Sequence, residues 1–144
     1  MNCVLLFSDN ELNNAVTRYL QYVMGDVKIT HALLGHPEML TPDMLHADLW
    51  IIEAFNPSDI TNPEGFRTAK KLASRTKILL IFYYLPKNIP VEGNFWLKLP
   101  CMRKLSTKIK EVLNKPAPNI NEFNTLESLW SALKGQPRHH RHLI

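Results

Sequence analysis

Short strand-like runs alternate along the chain with segments whose apolar residues recur at helical spacing. The runs cover residues 3–7, 27–34, 49–52, 78–83 and 95–98, lengths typical of buried β-strands. The most apolar run, residues 78–83, is predicted to be central. Strands that alternate with helices need crossover connections, so the pattern predicts an α/β domain with a five-stranded parallel sheet covered on both faces.

The connection between the fourth and fifth strands breaks this alternation. Residues 85–94 contain two prolines and one glycine, which leaves no room for a crossover helix of normal length. Beyond a domain at 1–114 we predict a linker at 115–124 and an amphipathic helix at 125–135, capped by Asn124 and Thr125. A basic tail of His and Arg residues follows at 136–144.

The composition of the 144-residue chain excludes several functional classes. It has two cysteines, no apolar run near the ~20 residues that span a bilayer, and no basic N-terminal leader, so we expect a cytoplasmic protein. The turn after the first strand contains no glycine for a nucleotide phosphate, and no nucleophile motif is present. The tail histidines have no supporting Cys or carboxylate nearby. We therefore expect no enzyme activity, no cofactor and no metal site.

Polar residues follow the strands where the carboxyl ends of a parallel sheet share one edge, the usual place for ligands. Ser8 and Asp9 follow the first strand, Glu53 the third, Tyr83 the fourth and Lys98 the fifth. This order of elements and strand ends resembles the receiver domain of bacterial two-component response regulators, over residues 1–114. The resemblance implies a flavodoxin-like sheet, here with a degenerate fourth crossover helix and an extra C-terminal helix.

The resemblance also implies a phosphorylation pocket, and this sequence departs from it. The phosphoacceptor aspartate is replaced by Glu53, one of the two acids after the first strand by Ser8, and a small hydroxyl residue by Tyr83. Lys98 is present, but the proline that should follow it is displaced by one residue. Magnesium prefers several carboxylate and water oxygens, and Asp9 has lost its acidic neighbour. The sequence therefore predicts a pseudo-receiver outside the ordinary phosphorylation cycle.

Two interpretations of Glu53 remain open from the sequence. Its longer side chain could imitate a phosphoaspartate and pair with Lys98, or it could be a solvated acid in a decayed pocket. Asp9 likewise could be a helix N-cap, a role worth about 1 kcal/mol.

Apolar residues near the fourth and fifth strands and on the C-terminal helix predict a protein-interaction surface, because the short fourth crossover would leave this side open. The helix could dock on its own domain, or on a partner or a second copy, which would give a homodimer. The predicted interaction residues are Tyr84, Ile89, Phe95, Trp96, Leu126, Leu129, Trp130 and Leu133.

The function predicted from these features is a phosphorylation-independent protein-interaction module in bacterial signalling or transcriptional regulation. The alternative is a nucleic-acid-associated regulator that uses Arg138 and Arg141 of the tail for phosphate contacts. No helix-turn-helix, zinc-finger spacing or aromatic-basic pattern supports specific base recognition.

Overall fold

The computed structural model describes residues 1–55, 64–99 and 102–134, with side chains described for 1–54, 64–99 and 103–130. Five parallel strands form one sheet in the order β2-β1-β3-β4-β5, which confirms the predicted architecture. The strands are β1 (Asn2–Phe7), β2 (Lys28–Leu33), β3 (Leu49–Phe55), β4 (Ile78–Phe82) and β5 (Trp96–Lys98). The prediction that the fourth strand is central was wrong: β3 has the middle position. β4 is nevertheless fully buried, because helices cover both of its faces.

Helices cover the two faces of the sheet in pairs. They are α1 (Asn10–Met24), α2 (Glu64–Lys71), α3 (Met102–Leu113) and α4 (Ile120–Lys134), and two 3-10 turns, Pro37–Met39 and Pro42–His46, lie between β2 and β3. On one face α1 and α3 contribute to an apolar cluster through residues such as Leu20 and Ile109. On the other face α2 and α4 contribute Phe66 and Phe123. No helix in these described ranges is long and apolar enough to cross a membrane.

The connection between β4 and β5 contains no helix in residues 83–95, as the prolines predicted. The loop returns antiparallel to β5 instead. The Gly93 amide donates to the Trp96 carbonyl at 3.0 Å, and the Lys98 amide donates to the Val91 carbonyl at 2.8 Å. Because β5 is an edge strand, this return segment occupies backbone groups that could otherwise pair with another chain.

The C-terminal helix α4 begins at Ile120, five residues before the predicted start at 125. Asn119 and Glu122 form a reciprocal capping box: Asn119 Oδ1 accepts from the Glu122 amide at 3.0 Å, and Glu122 Oε2 accepts from the Asn119 amide at 2.9 Å. The predicted cap at Asn124 and Thr125 was therefore wrong, and the linker 115–124 shortens to 115–119. The predicted tail, 136–144, lies outside the described residues.

Helix α4 covers the part of the sheet left open by the missing crossover helix. Phe123 packs against Phe95 with ring centroids 4.7 Å apart and against Phe66 at 5.7 Å. Leu126 and Trp130 are buried in the same cluster. Of the two alternatives for this helix, the structure shows docking on its own domain.

The direction of α4 is opposite to that of a crossover helix. Near its start, the Ser74 amide, which precedes β4, donates to the Pro118 carbonyl at 2.8 Å. Near its end, Trp130 contacts Tyr84, which follows β4, with ring centroids 6.4 Å apart. A crossover helix returns the chain toward the amino ends of the strands, whereas α4 runs with the strands and approaches their carboxyl edge.

Candidate functional site

The carboxyl ends of β1, β3 and β4 border an open cleft of about 530 Å³. Four of the five predicted pocket residues meet in it, and Lys98 does not line it. Glu11, in the first turn of α1, was not predicted but contributes a further carboxylate. None of the lining residues is basic. Among the described residues, the lining consists of Ser8, Asp9, Glu11, Leu12, Ala15, Glu53 and Tyr83.

Glu53 is a buried residue with 0% exposure, so its interpretation as a solvated strand-end acid was wrong. Its Oε1 accepts a hydrogen bond from the Ser8 amide at 3.0 Å. Ser8 lies just before the N-cap of α1, so the carboxylate faces the positive end of that helix dipole. Its second oxygen, Oε2, is buried with no hydrogen-bond partner among the described residues.

The backbone around Glu53 is held by a bulge and by a close helix contact. Pairing of β3 with β4 shifts between Glu53 and Phe55, which marks a β-bulge near Ala54. Gly65 of α2 lies so near the Glu53 carbonyl that a Cβ at this position would collide with it. The strand end is therefore fixed from the opposite face of the sheet, an arrangement without a local sequence signal.

Tyr83 brings a phenol to the same cleft as the Glu53 carboxylate. Burial raises the pKa of the Tyr83 hydroxyl, and the negative charges of Glu53 and Asp9 raise it further. The hydroxyl is also buried without a hydrogen-bond partner among the described residues. A side-chain interaction with the Glu53 carboxylate contributes to the raised pKa as well, so the Tyr83 hydroxyl remains a protonated donor beside Glu53 at neutral pH.

Asp9 is the N-cap of α1, which confirms the structural interpretation of this residue. Its Oδ1 accepts from the Leu12 amide at 2.8 Å. Within the described ranges, no group of three or more His, Cys, Asp and Glu side chains is arranged to hold a metal ion.

Lys98 belongs to β5 and stands apart from the carboxylates of the cleft. No ion pair between Lys98 and Glu53 is present in the described structure, where Glu53 is bonded to Ser8 instead. The phosphoaspartate-mimic hypothesis therefore lacks the ion pair on which it depended.

Comparison with solved structures relates this arrangement to known folds. The chain is similar to the signal receiver domain of a DNA-binding response regulator (merR) from Colwellia psychrerythraea, with a TM-score of 0.58 and 16% identity over 80% of this chain and 100% of that chain. It is similar to a CheY-like receiver domain protein from Methanospirillum hungatei, with a TM-score of 0.54 and 18% identity over 79% and 94% of the two chains. It is also similar to the signal receiver domain of a putative Luxo repressor protein from Vibrio parahaemolyticus, with a TM-score of 0.54 and 19% identity over 77% of this chain and 88% of that chain.

The chain has the receiver fold. At these identities the similarity defines the fold alone. No protein-family model and no curated protein matches the sequence.

In this receiver fold four of the eight predicted interaction residues are core residues. Ile89, Phe95, Leu126 and Trp130 are buried, so the prediction that they form an accessible surface was wrong. The reason is that α4 and the loop of residues 83–95 pack on each other. Asn88 Nδ2, for example, donates to the Leu129 carbonyl at 2.9 Å.

The remaining predicted residues differ in exposure. Trp96 is half-buried, and its indole donates to the Pro90 carbonyl at 2.9 Å, which ties the return loop to β5. Leu129 is half-buried against the core, and the Leu133 side chain lies outside the described residues. Tyr84 is 51% exposed and is the predicted residue that most clearly reaches the surface. Arg138 and Arg141 also lie outside the described residues, so nucleic-acid contact stays a prediction.

Proposed function

We propose that this chain is a receiver-fold module of two-component signalling that binds a regulatory protein without being phosphorylated. The observation that carries the proposal is the state of Glu53. Its side chain has 0% exposure and is bonded to the Ser8 amide. The residue at the phosphoacceptor position thus acts as an internal brace between β3 and the start of α1. We propose no catalytic residue and no cofactor.

The charges around the cleft also oppose a phosphoryl group. Asp9 and Glu11 add negative charge at the opening, and none of the cleft-lining residues that the structure describes is basic. At separations of a few ångströms, like charges near a protein surface repel by several kcal/mol. A phosphodonor would therefore meet an anionic entrance and a carboxylate that is already engaged.

The surface around Tyr84 is the proposed contact for the protein partner. Tyr84 is half-exposed, and its ring stands edge-on against the buried ring of Trp130, which in turn stacks on Phe82 at 6.1 Å. An aromatic side chain held by a rigid core loses little entropy on binding, a property of interface anchors. In this account Trp130 and the other buried residues of α4 support the surface and do not contact the partner.

Phosphorylation independence is tested by incubating the protein with acetyl phosphate and Mg²⁺ and measuring its intact mass. We expect no added phosphoryl group, while a phosphorylatable receiver domain in the same tube gains one. A gain of one phosphoryl group that Glu53→Gln abolishes would overturn the proposal. Glu53→Asp is the matched variant, because it restores the acceptor residue and reports whether the cleft itself excludes the donor.

A further inference from the structure

We propose that the exposed face of α3 binds the phosphate backbone of duplex DNA without reading its sequence. This α3 face, with the residue that follows the helix, consists of Arg103, Lys104, Thr107, Lys110 and Asn114, which are all exposed. Each of these side chains offers a donor of the kind that contacts DNA phosphates. The proposal uses neither Tyr84 nor the cleft, so it is independent of the proposed function.

The charges of the chain are segregated along the sequence and therefore across the sheet. Residues 1–64 contain nine Asp or Glu and two Lys or Arg, whereas residues 65–110 contain eleven Lys or Arg and one Glu. The acidic segment includes β1, β2 and β3, and the basic segment includes β4 and β5, which form one side of the sheet. The field of this basic side attracts a polyanion and orients it, although the net charge of the chain is only +4.

The carboxylates nearest to the α3 face are already engaged by another side chain. Glu92 and Glu111 accept from Lys108, whose side chain is only 4% exposed, at 3.1 and 3.3 Å. Among the described residues, no ion pair involves any of the three cations of the α3 face. Their charges are therefore available to an anion from outside the domain.

Helix stability does not explain where these cations lie. Arg103 and Lys104 belong to the first turn of α3, where the helix dipole disfavours positive charge, and that turn contains no acidic residue. On α2, by contrast, Lys70 and Lys71 lie in the last turn, where the dipole favours them. The lysines of α2 thus have a structural explanation that the first turn of α3 lacks.

The α3 face fits duplex DNA better than a protein or a single strand. None of the exposed large hydrophobic residues in the described ranges lies on α3, so the face offers no apolar anchor for a protein. For the same reason it has no aromatic ring on which an unpaired base could stack. The wide major groove of B-DNA admits an α-helix, whereas the deep, narrow groove of duplex RNA does not.

The spacing of the cations sets the expected strength of binding. Arg103 and Lys110 lie two turns apart, so the cations extend over about 10 Å. A DNA strand has one phosphate about every 3.4 Å along the axis, so this length covers about three phosphates. Three such contacts predict a slope of about −2.7 in log K against log salt, which is about 40-fold weaker binding at 200 mM than at 50 mM salt.

Fluorescence anisotropy of a labelled DNA duplex, titrated with the full chain, measures this binding. The test variant is Arg103→Gln/Lys104→Gln/Lys110→Gln. We expect it to bind at least about tenfold more weakly at 50 mM salt and to lose most of the salt dependence, because the phosphate contacts are removed. Circular dichroism verifies that the variant is folded.

The control variant removes the same number of positive charges from another face of the fold. It is Arg67→Gln/Lys71→Gln/Arg75→Gln, on α2 and the turn after it, where all three residues are exposed. Because it has the same net charge as the test variant, it separates a specific surface from a general effect of charge. We expect its affinity for the duplex to change by less than about threefold.

Equal weakening of the two triple variants would overturn the inference, since net charge alone would then explain the binding. No change in anisotropy up to about 100 μM protein at 50 mM salt would also overturn it. The same holds for tighter binding of a single strand or of an RNA duplex of equal length. Binding that survives in the test variant but is lost in Arg138→Gln/Arg141→Gln would assign the contact to the C-terminal tail.

Sedimentation velocity without DNA tests the competing occupant of the α3 face. Self-association that the test variant abolishes would assign this face to the acidic side of a second copy, and it would overturn the inference. None of these measurements involves phosphorylation or the partner of Tyr84, so failure here is distinct from failure of the proposed function.

Discussion

Substitution of Trp130 by alanine separates a core role for α4 from a role in binding partners. Trp130 is 8% exposed, stacks on Phe82 with ring centroids 6.1 Å apart and contacts Tyr84 edge-on. If α4 completes the core of its own domain, Trp130→Ala leaves a cavity against β4 and destabilises the whole fold.

The expected loss of unfolding free energy is about 3 kcal/mol. Buried Trp→Ala substitutions cost about 3–5 kcal/mol, and the lower end applies because Trp130 lies near the end of a helix that can shift toward the gap. Domains of this size have total stabilities of about 5–15 kcal/mol. The variant should therefore remain folded without denaturant but unfold at a clearly lower concentration of urea.

Urea unfolding monitored by far-ultraviolet circular dichroism measures the effect without relying on tryptophan fluorescence. With a slope of about 1.5–2 kcal/mol per molar urea, the midpoint should fall by about 1.5–2 M. Tyr22→Ala is the control, since Tyr22 is an aromatic residue with 89% exposure and its removal should change stability by less than about 0.5 kcal/mol.

A loss below about 1 kcal/mol for Trp130→Ala, with an unchanged slope, would refute this account of α4. Such a result would mean that the helix contributes little to its own domain, and it would restore the hypothesis that Trp130 anchors a partner.

Three further substitutions test the cleft. Asp9→Ala should reduce the unfolding free energy by about 1 kcal/mol and Asp9→Asn by much less, because only the first removes the acceptor for the Leu12 amide; thermal unfolding of both variants measures the difference. Gly65→Ala should reduce the free energy of unfolding by more than about 2 kcal/mol, because the added Cβ would collide with the Glu53 carbonyl and force α2 away from β3. Urea unfolding measures this loss, and Ala69→Gly in the same helix shows how much of it helix propensity could explain. A gain in stability for Gly65→Ala would contradict the close contact. The pKa of Tyr83 is raised in the folded state, so the contribution of its neutral hydroxyl to the free energy of unfolding is complete below the unfolded pKa of about 10 and is lost as the pH rises above that value. Tyr83→Phe should therefore reduce the fall in stability that is measured above pH 10. An identical pH profile for the variant and the wild type would contradict the raised pKa.

The sequence predicted the elements whose signals are local. Apolar runs identified β1, β3 and β4, because a strand buried on both faces needs no polar alternation, while β2, an edge strand, alternates exposed and less exposed residues and was identified from that mixed pattern. The two prolines in residues 85–94 correctly predicted the absence of a helix between β4 and β5. The start of α4 was missed although its signal was present: Asn119 and Glu122 have the spacing of a capping box.

The site was less predictable because its geometry depends on contacts between distant segments. Ser8, Asp9, Glu53 and Tyr83 were correctly grouped, since the carboxyl ends of adjacent parallel strands must meet. The burial of Glu53 depends on a bulge in β3, on Gly65 in α2 and on the Ser8 amide, and no local pattern encodes that combination. The direction of α4 follows from chain connectivity: α3 returns to the amino edge of the sheet, and the short linker 115–119 makes α4 start there.

The central claim, phosphorylation-independent binding of a protein, is tested most directly by site-specific photo-crosslinking in the host cell. A photoreactive amino acid replaces Tyr84 in one sample and Tyr22, which is exposed on α1, in the control. We predict a defined protein adduct at position 84 alone, in equal yield for the wild type and for Glu53→Gln and unaffected by nuclease. An adduct that requires an intact Glu53 would contradict the account. So would an adduct that disappears both after nuclease treatment and after deletion of residues 137–144.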